Sequence, residues 1–367
     1  MKERRRWLWL FINVIFVAIL LVPSLRMTIA SMAATVTATS VAQSGKKDDD
    51  VTITSVASAR KALREQIWGE ADLPHTFPAV SVLKKSDPQR KQIIREMGLA
   101  DLSQFRQVEK LSFALAAGQS AVGYHFVANG DSKRLVIVHQ GHACTFGPSS
   151  MGLQRLVGKL LSNGYSVVTL YMPRPANCEN QDMVSYHSEL FKSVSGKLHG
   201  SPLQLFVGPA LQTLNYAFKS GYSRVDMIGI SGGGWTTTVY AAVDPRIKLS
   251  IPIAGTFPRH LPCGINVDDP EQDSIASYMN LYVLGSAGEG RRQIQVLNEY
   301  DSCCFKVKCD NPQRDNEPDI KNYEAAINRA DHALGGGNFS VYIDRGSRRH
   351  QISAEVLNNV IIPALRD

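Results

Sequence analysis

From residue 109 onward, short runs of β-branched and aliphatic residues alternate with stretches whose apolar positions recur every three to four residues. Runs at 135–139 and 166–170 flank a helical pattern over 151–163, and further runs stand at 225–230, 249–254, 293–298 and 339–343. Strand and helix periods in alternation indicate a mostly parallel sheet covered by helices on both faces. Two earlier runs, 111–116 and 121–127, are separated by Ala117-Gly118-Gln119-Ser120 and predict an antiparallel opening hairpin. The expected architecture is therefore α/β, with a central eight-stranded sheet. Helical patterns at 57–68 and 88–97 predict an N-terminal helical extension over 56–108, packed on a main domain of 109–367. No internal repeat occurs.

The first thirty residues follow a different pattern. Lys2, Arg4, Arg5 and Arg6 precede an apolar run over 7–22 broken only by Asn13, then Pro23, then small residues around Ala30 and Ala33. That order is the signature of an export signal. Left uncut, the run is marginally long enough to anchor the chain, since a membrane span needs about 17 to 25 residues. The basic flank would stay inside and the rest of the chain outside, so an exported, periplasmic or secreted location is expected either way. Residues 31–55 are rich in Ser, Thr, Ala and Asp without apolar periodicity and predict a solvated linker.

Charge and cysteine content narrow the partners. Of the formal charge of +7, Lys2, Arg4, Arg5, Arg6 and Arg26 less Glu3 supply +4, leaving +3 for the remainder. So small an excess, without a Lys/Arg stripe, argues against a nucleic-acid partner. Six cysteines suit an oxidising compartment. None forms a C-x-x-C pair, and Cys304 and Cys309 have no matching histidine knuckle, so no metal site is expected.

The chemistry concentrates at Met227-Ile228-Gly229-Ile230-Ser231-Gly232-Gly233-Gly234-Trp235, which sets G-x-S-x-G between a hydrophobic strand and a helical stretch over 236–243. A serine in so sharp a turn requires neighbours without side chains, and Gly229 and Gly233 meet that demand. Serine is a weak nucleophile unless a histidine takes its proton and a carboxylate orients that histidine. Asp301 follows the run at 293–298 and His350 follows the run at 339–343, so both stand at strand carboxyl ends, where open α/β sheets bind ligands. Glu299 competes with Asp301, and Asp268 or Asp269 would serve if the acid arose one strand earlier. His139-Gln140-Gly141-His142 follows an early central strand. There the backbone amide of His142, with that of Gly232, is placed to receive an oxyanion, while the His139 ring ties the loop down. His75, His125, His187, His199, His260 and His332 show no partner pattern.

These motifs resemble the α/β-hydrolase superfamily, and within it the serine esterase and prolyl-oligopeptidase-like branches, over about two-thirds of the chain. The resemblance implies an α/β-hydrolase catalytic domain, a Ser231, Asp301, His350 triad and a cofactor-free acyl-enzyme mechanism. His-Gln-Gly-His replaces the His-Gly-Gly-Gly of the lipase-like branch, and there is no propeller-length N-terminal domain. An exported serine hydrolase acting on a small-molecule or acylated substrate is the first expectation. A small-peptide serine peptidase shares every such residue, and a non-catalytic binding module displayed on a membrane is the reading from another class. Segments 172–202, 256–280 and 302–337 leave strand ends and should wall the pocket, with Trp235, Tyr171 and Phe257 as possible acyl-pocket aromatics. The implied strand order brings Cys144 near Cys178 and Cys263 near Cys303 and Cys304, with a local Cys304 to Cys309 ring as the alternative. At least two disulfides are expected.

Overall fold

Every run singled out above as a strand from residue 109 onward forms one. The computed structural model describes residues 50–130, 133–142, 151–173, 183–261, 276–303, 306–309 and 314–367. Among them nine strands make one sheet: β1 Ala79–Val82, β2 Phe105–Ala114, β3 Ser120–Ala128, β4 Arg134–His139, β5 Ser166–Leu170, β6 Arg224–Ile230, β7 Ile247–Ile253, β8 Arg292–Asn298 and β9 Asn338–Asp344. Their order is β1-β2-β3-β5-β4-β6-β7-β8-β9. The pairs from β5 to β9 are parallel, and β1, β2 and β3 add an antiparallel edge. The ninth strand, β1, lies inside the predicted helical extension. Its four residues are all exposed, so it carries no alternating pattern by which to find it.

Helices cover both faces. They are α1 Val56–Trp68, α2 Pro88–Glu96, α3 Leu153–Ser162, α4 Met183–Val194, α5 Gln204–Lys219, α6 Gly232–Val243, α7 Tyr278–Ser286, α8 Glu317–Ala333 and a C-terminal run over 354–366 with a π-turn at Leu357–Ile361. In α3 the buried positions are Leu153, Leu156, Val157, Leu160 and Leu161, one apolar stripe on an otherwise polar helix. Helix α6 is different, because all twelve of its residues are buried. It lies inside the molecule, so it is apolar all round. The segments expected to wall a pocket contain α4 and α8 and end within the first turn of α7. Residues 51–367 form one compact unit, and the predicted linker is shorter than its pattern, since Val51 and Ile53 already pack on the core. The export segment lies outside the described residues, among which no helix is long and apolar enough to cross a membrane.

The ends of α6 and α7 are held by two buried arginines. The last carbonyls of a helix lack intrahelical partners and must find donors elsewhere. Arg291 donates to Ala241 O (2.6 Å), Leu284 O (2.7 Å), Ala287 O (2.9 Å) and Ile247 O (3.1 Å). Arg60, on α1, donates to Leu284 O (2.7 Å), Ala287 O (3.0 Å) and Ala242 O (3.3 Å). Burial lowers Arg291 to about 9 and Arg60 to about 10, and the same seclusion strengthens each bond they make. Arg291→Met orphans the carbonyls of Ala241 and Ile247. Urea denaturation should show a loss of about 3 kcal/mol for it, while Arg292→Met, at a half-exposed neighbour, stays within about 0.5 kcal/mol. Equal losses would contradict the capping role.

Candidate active site

The register of the parallel strands brings several loops to one edge of the sheet. His139, the last residue of β4, pairs with Leu170 of β5 and Gly229 of β6, and at the other side Asn298 of β8 pairs with Asp344 of β9. The loops that leave these ends carry His142, Met172, Ser231, Asp301 and His350. Ser231 joins β6 to α6 with φ 58° and ψ −130°, a region that side chains rarely adopt. Its N–H donates to Ile253 O (2.9 Å) and its carbonyl accepts from Trp235 N (2.9 Å), so the turn is fixed from both sides.

The room for this turn comes from missing side chains. A Cβ on Gly229 would meet the carbonyl of Gly233 and lie 2.5 Å from Thr237 Oγ1, and one on Gly233 would lie 2.8 Å from Gln140 O. Both sequence-derived glycines are therefore required by close approach. Two further residues in the same crush went unnoticed in the sequence. A Cβ on Gly141 would lie 2.6 Å from Ser231 Cβ and 3.1 Å from its Oγ, and one on Gly255 would lie 2.5 Å from Ser231 O. Residue 141 thus runs directly over the nucleophile candidate. His142 follows, its ring against Gly232, where a Cβ would lie 2.6 Å from His142 Cε1. Gly232 is the first residue of α6, so its N–H is among those a helix leaves without intrahelical partners. The ring of His139 donates from Nδ1 to Gln140 O (2.8 Å) and holds the loop, as expected.

Asp301 and His350 meet. His350 Nδ1–H donates to Asp301 Oδ2 (2.8 Å) and Oδ1 (3.0 Å), the carboxylate being fully buried and the imidazole 12% exposed. Asn298 Nδ2 and the backbone N–H of Cys303 add bonds of 2.9 and 2.7 Å to the same carboxylate. Ser302 Oγ accepts from the backbone N–H of His350 (3.1 Å), tying the loop after β8 to the loop after β9. Neither Asn298 nor Ser302 stood out beforehand; their sole signal is adjacency to Asp301. With Nδ1 committed, the other ring nitrogen, Nε2, is buried and without a hydrogen-bond partner among the described residues. No hydrogen bond links it to Ser231 Oγ in this state.

The rival carboxylate is engaged elsewhere. Glu299 pairs with Arg345, which also reaches Glu317 at 2.8 Å. Asp268 and Asp269 lie outside the described residues, as do Cys144, Cys178, Cys263 and Cys304. Cys303 and Cys309 are disulfide-bonded, and there is no free thiol among the described residues. Asp301, Cys303 and His350 present ligand-type atoms within 4.8 Å of one another, yet the sulfur is already in a disulfide and offers no thiolate to a cation. A second histidine-carboxylate pair, His125 with Glu109 at 2.8 Å, has both ring nitrogens occupied, since Nε2 meets Tyr222 OH at 3.0 Å. It ties β2 and β3 to the segment after α5. Trp235 and Phe257 are core residues at 0% and 3% exposure.

No family model matches the chain, and no curated protein does. Solved structures do. A structure named methylesterase BT1017 is similar at 16% identity over 83% of this chain and 61% of that one, with a TM-score of 0.51. An acetyl xylan esterase from Paenibacillus sp. R4 is similar at 16% identity over 87% and 97%, with a TM-score of 0.47. A cold-adapted esterase from an Arctic intertidal metagenomic library is similar at 15% identity over 72% and 94%, also at 0.47. At such identities the likeness concerns the fold, and the fold is that of the α/β-hydrolases. The crowding over Ser231 gives a direct check: Gly141→Ala should lower stability by about 1 to 3 kcal/mol, as overpacking does. A thermal melt equal to that of the parent would show that the loop has room after all.

Proposed function

We propose that this α/β-hydrolase-fold chain is an exported serine hydrolase that cleaves a carboxylic ester through an acyl-enzyme. Ser231 Oγ attacks the acyl carbon while His350 Nε2 takes its proton, and Asp301 holds the imidazole in the tautomer that leaves Nε2 able to accept. The amides of His142 and Gly232 receive the oxyanion, the latter aided by the positive end of α6. His350 then returns the proton to the departing alcohol, and a water repeats the sequence to release the acid. The Asp301 to His350 bond carries this reading, because it commits Nδ1 and leaves Nε2 without a partner at the same edge of the sheet as a serine held in a strained turn. No cofactor enters. Export is supported by the order of basic, apolar and small residues at the N-terminus, and the disulfide-bonded Cys303 and Cys309 suit an oxidising compartment. An uncut N-terminal segment would tether the enzyme to a membrane.

Two sets of variants test the assignment. Ser231→Ala should lose fluorophosphonate labelling and lower p-nitrophenyl acetate turnover by about 10⁴-fold or more. Equal labelling would remove Ser231 from the mechanism. Asp301→Asn should lower kcat by about 10⁴-fold through the wrong histidine tautomer. Glu299→Gln, which breaks only a partly exposed ion pair, should cost less than about fivefold. A reversal of those two effects would transfer the acid's role to Glu299. Activity against a peptide panel with none against esters would replace the ester reading with the peptidase one.

A further inference from the structure

Sheet order and proton traffic together define which side of Ser231 the acyl group takes, an inference that rests on the serine-hydrolase reading above. In the tetrahedral intermediate the carbon bound to Ser231 Oγ carries three other groups. The oxyanion lies toward the amides of His142 and Gly232. The leaving group must reach His350 Nε2 to collect its proton. His350 and Asp301 follow β9 and β8, which lie on one side of β6, whereas β4 and β5 lie on the other. The leaving group therefore takes the side of β8 and β9, and the acyl group lies away from it, beside the oxyanion and the residues that follow β4 and β5.

That side is already filled. A Cβ on Gly232 would lie 2.6 and 2.7 Å from His142 Cε1 and Nδ1, and 2.9 Å from Met172 Cε. Met172 is 2% exposed and held in place by a hydrogen bond from Thr236 Oγ1 to its sulfur (3.4 Å), which ties it to the first turn of α6. Behind His142 stands the ring of His187, with centroids 5.2 Å apart. His187 Nε2–H donates to Pro173 O (3.2 Å), fixing that ring to the strand end that also carries Met172. Phe206 packs edge-on against His187 at 4.9 Å, and Trp235 edge-on against Phe206 at 5.5 Å. His187, Phe206 and Trp235 are each 3% exposed or less. Among the described residues the rings make one buried wall.

We propose that His142 and Met172 close the acyl side of the site, so that the substrate is an ester of a short acyl group and long-chain acyl esters are rejected. His142 then has two functions, its amide for the oxyanion and its imidazole for the size of the pocket. A methylene that a pocket cannot seat costs about ten- to two-hundred-fold in kcat/KM, so a few surplus carbons suffice for near-complete exclusion. The sulfur of Met172 is adaptable and fills the gap left beside the imidazole.

The experiment compares kcat/KM for p-nitrophenyl acetate, butyrate and octanoate in the full chain, in Ser231→Ala, in Met172→Ala and in His142→Ala. The parent should favour acetate over octanoate by about a hundredfold or more. Met172→Ala and His142→Ala should each raise the octanoate-to-acetate ratio by about tenfold, whatever happens to absolute turnover in the His142 variant. A parent that prefers octanoate, or ratios unmoved in both variants, overturns the proposal while Ser231-dependent turnover keeps the serine-hydrolase reading intact. Ester turnover undiminished in Ser231→Ala, or absent from the parent, defeats that reading and this proposal with it. Should either variant fail to fold, the chain-length profile of the parent still decides.

Discussion

The backbone of Ser231 is the constraint on which the rest of the site depends. Holding a side-chain-bearing residue at φ 58° costs on the order of 1 to 3 kcal/mol, and such a cost persists only where the surroundings leave no alternative. Here the surroundings are α6, buried along its whole length, and a ring of glycines from four chain segments, residues 141, 229, 233 and 255. Each allows another strand or loop to come within contact of the turn. Fill any of them and the serine, the loop from His139 to His142 or the first turn of α6 must shift.

The pair of Asp301 and His350 is built on the opposite principle. Neither residue has a positive φ, and their precision comes from a redundant set of hydrogen bonds. Asn298 and Cys303 fix the carboxylate, Ser302 fixes the histidine backbone, and the carboxylate fixes the ring. One half of the site is thus positioned by exclusion of volume and the other by satisfied polar groups. The contrast with His125 is instructive. Its two nitrogens are both engaged, and a histidine so fully satisfied has no nitrogen left for a reacting group.

Much of this was legible in the residues themselves, for physical reasons that differ from element to element. The inner parallel strands are buried on both faces and read as β-branched runs, and G-x-S-x-G is a local demand of the turn, so Ser231, Gly229 and Gly233 were visible without any contact map. Asp301 and His350 were visible because chain order in a parallel sheet dictates which strand end they leave. Gly141, Gly255, Asn298 and Ser302 act through neighbours distant in sequence, and nothing local distinguishes them. Helix α7, with all but one of its nine residues buried, has lost the polar face that would reveal a helical period. In α8 the buried stripe of Ile320, Tyr323, Ile327 and Asp331 is too narrow and too polar to stand out. Strand β1 was missed because an exposed edge has no hydrophobic pattern at all.

The arginine clasp at the start of the unit has a mechanical side. Arg60 and Arg64 hold α1 to the carbonyls of Ala242 and Val243, the last turn of the helix whose first turn is capped by Ser231. The segment Val51 to Ser55 leads into α1, and within it Thr52 is bonded to Asn280 on α7. Tension applied to α1 passes through the two guanidinium groups into the far end of α6, and along a stiff, wholly enclosed rod to the turn at Ser231. A pull on α1 and strain in the turn at Ser231 thereby become a single mechanical quantity.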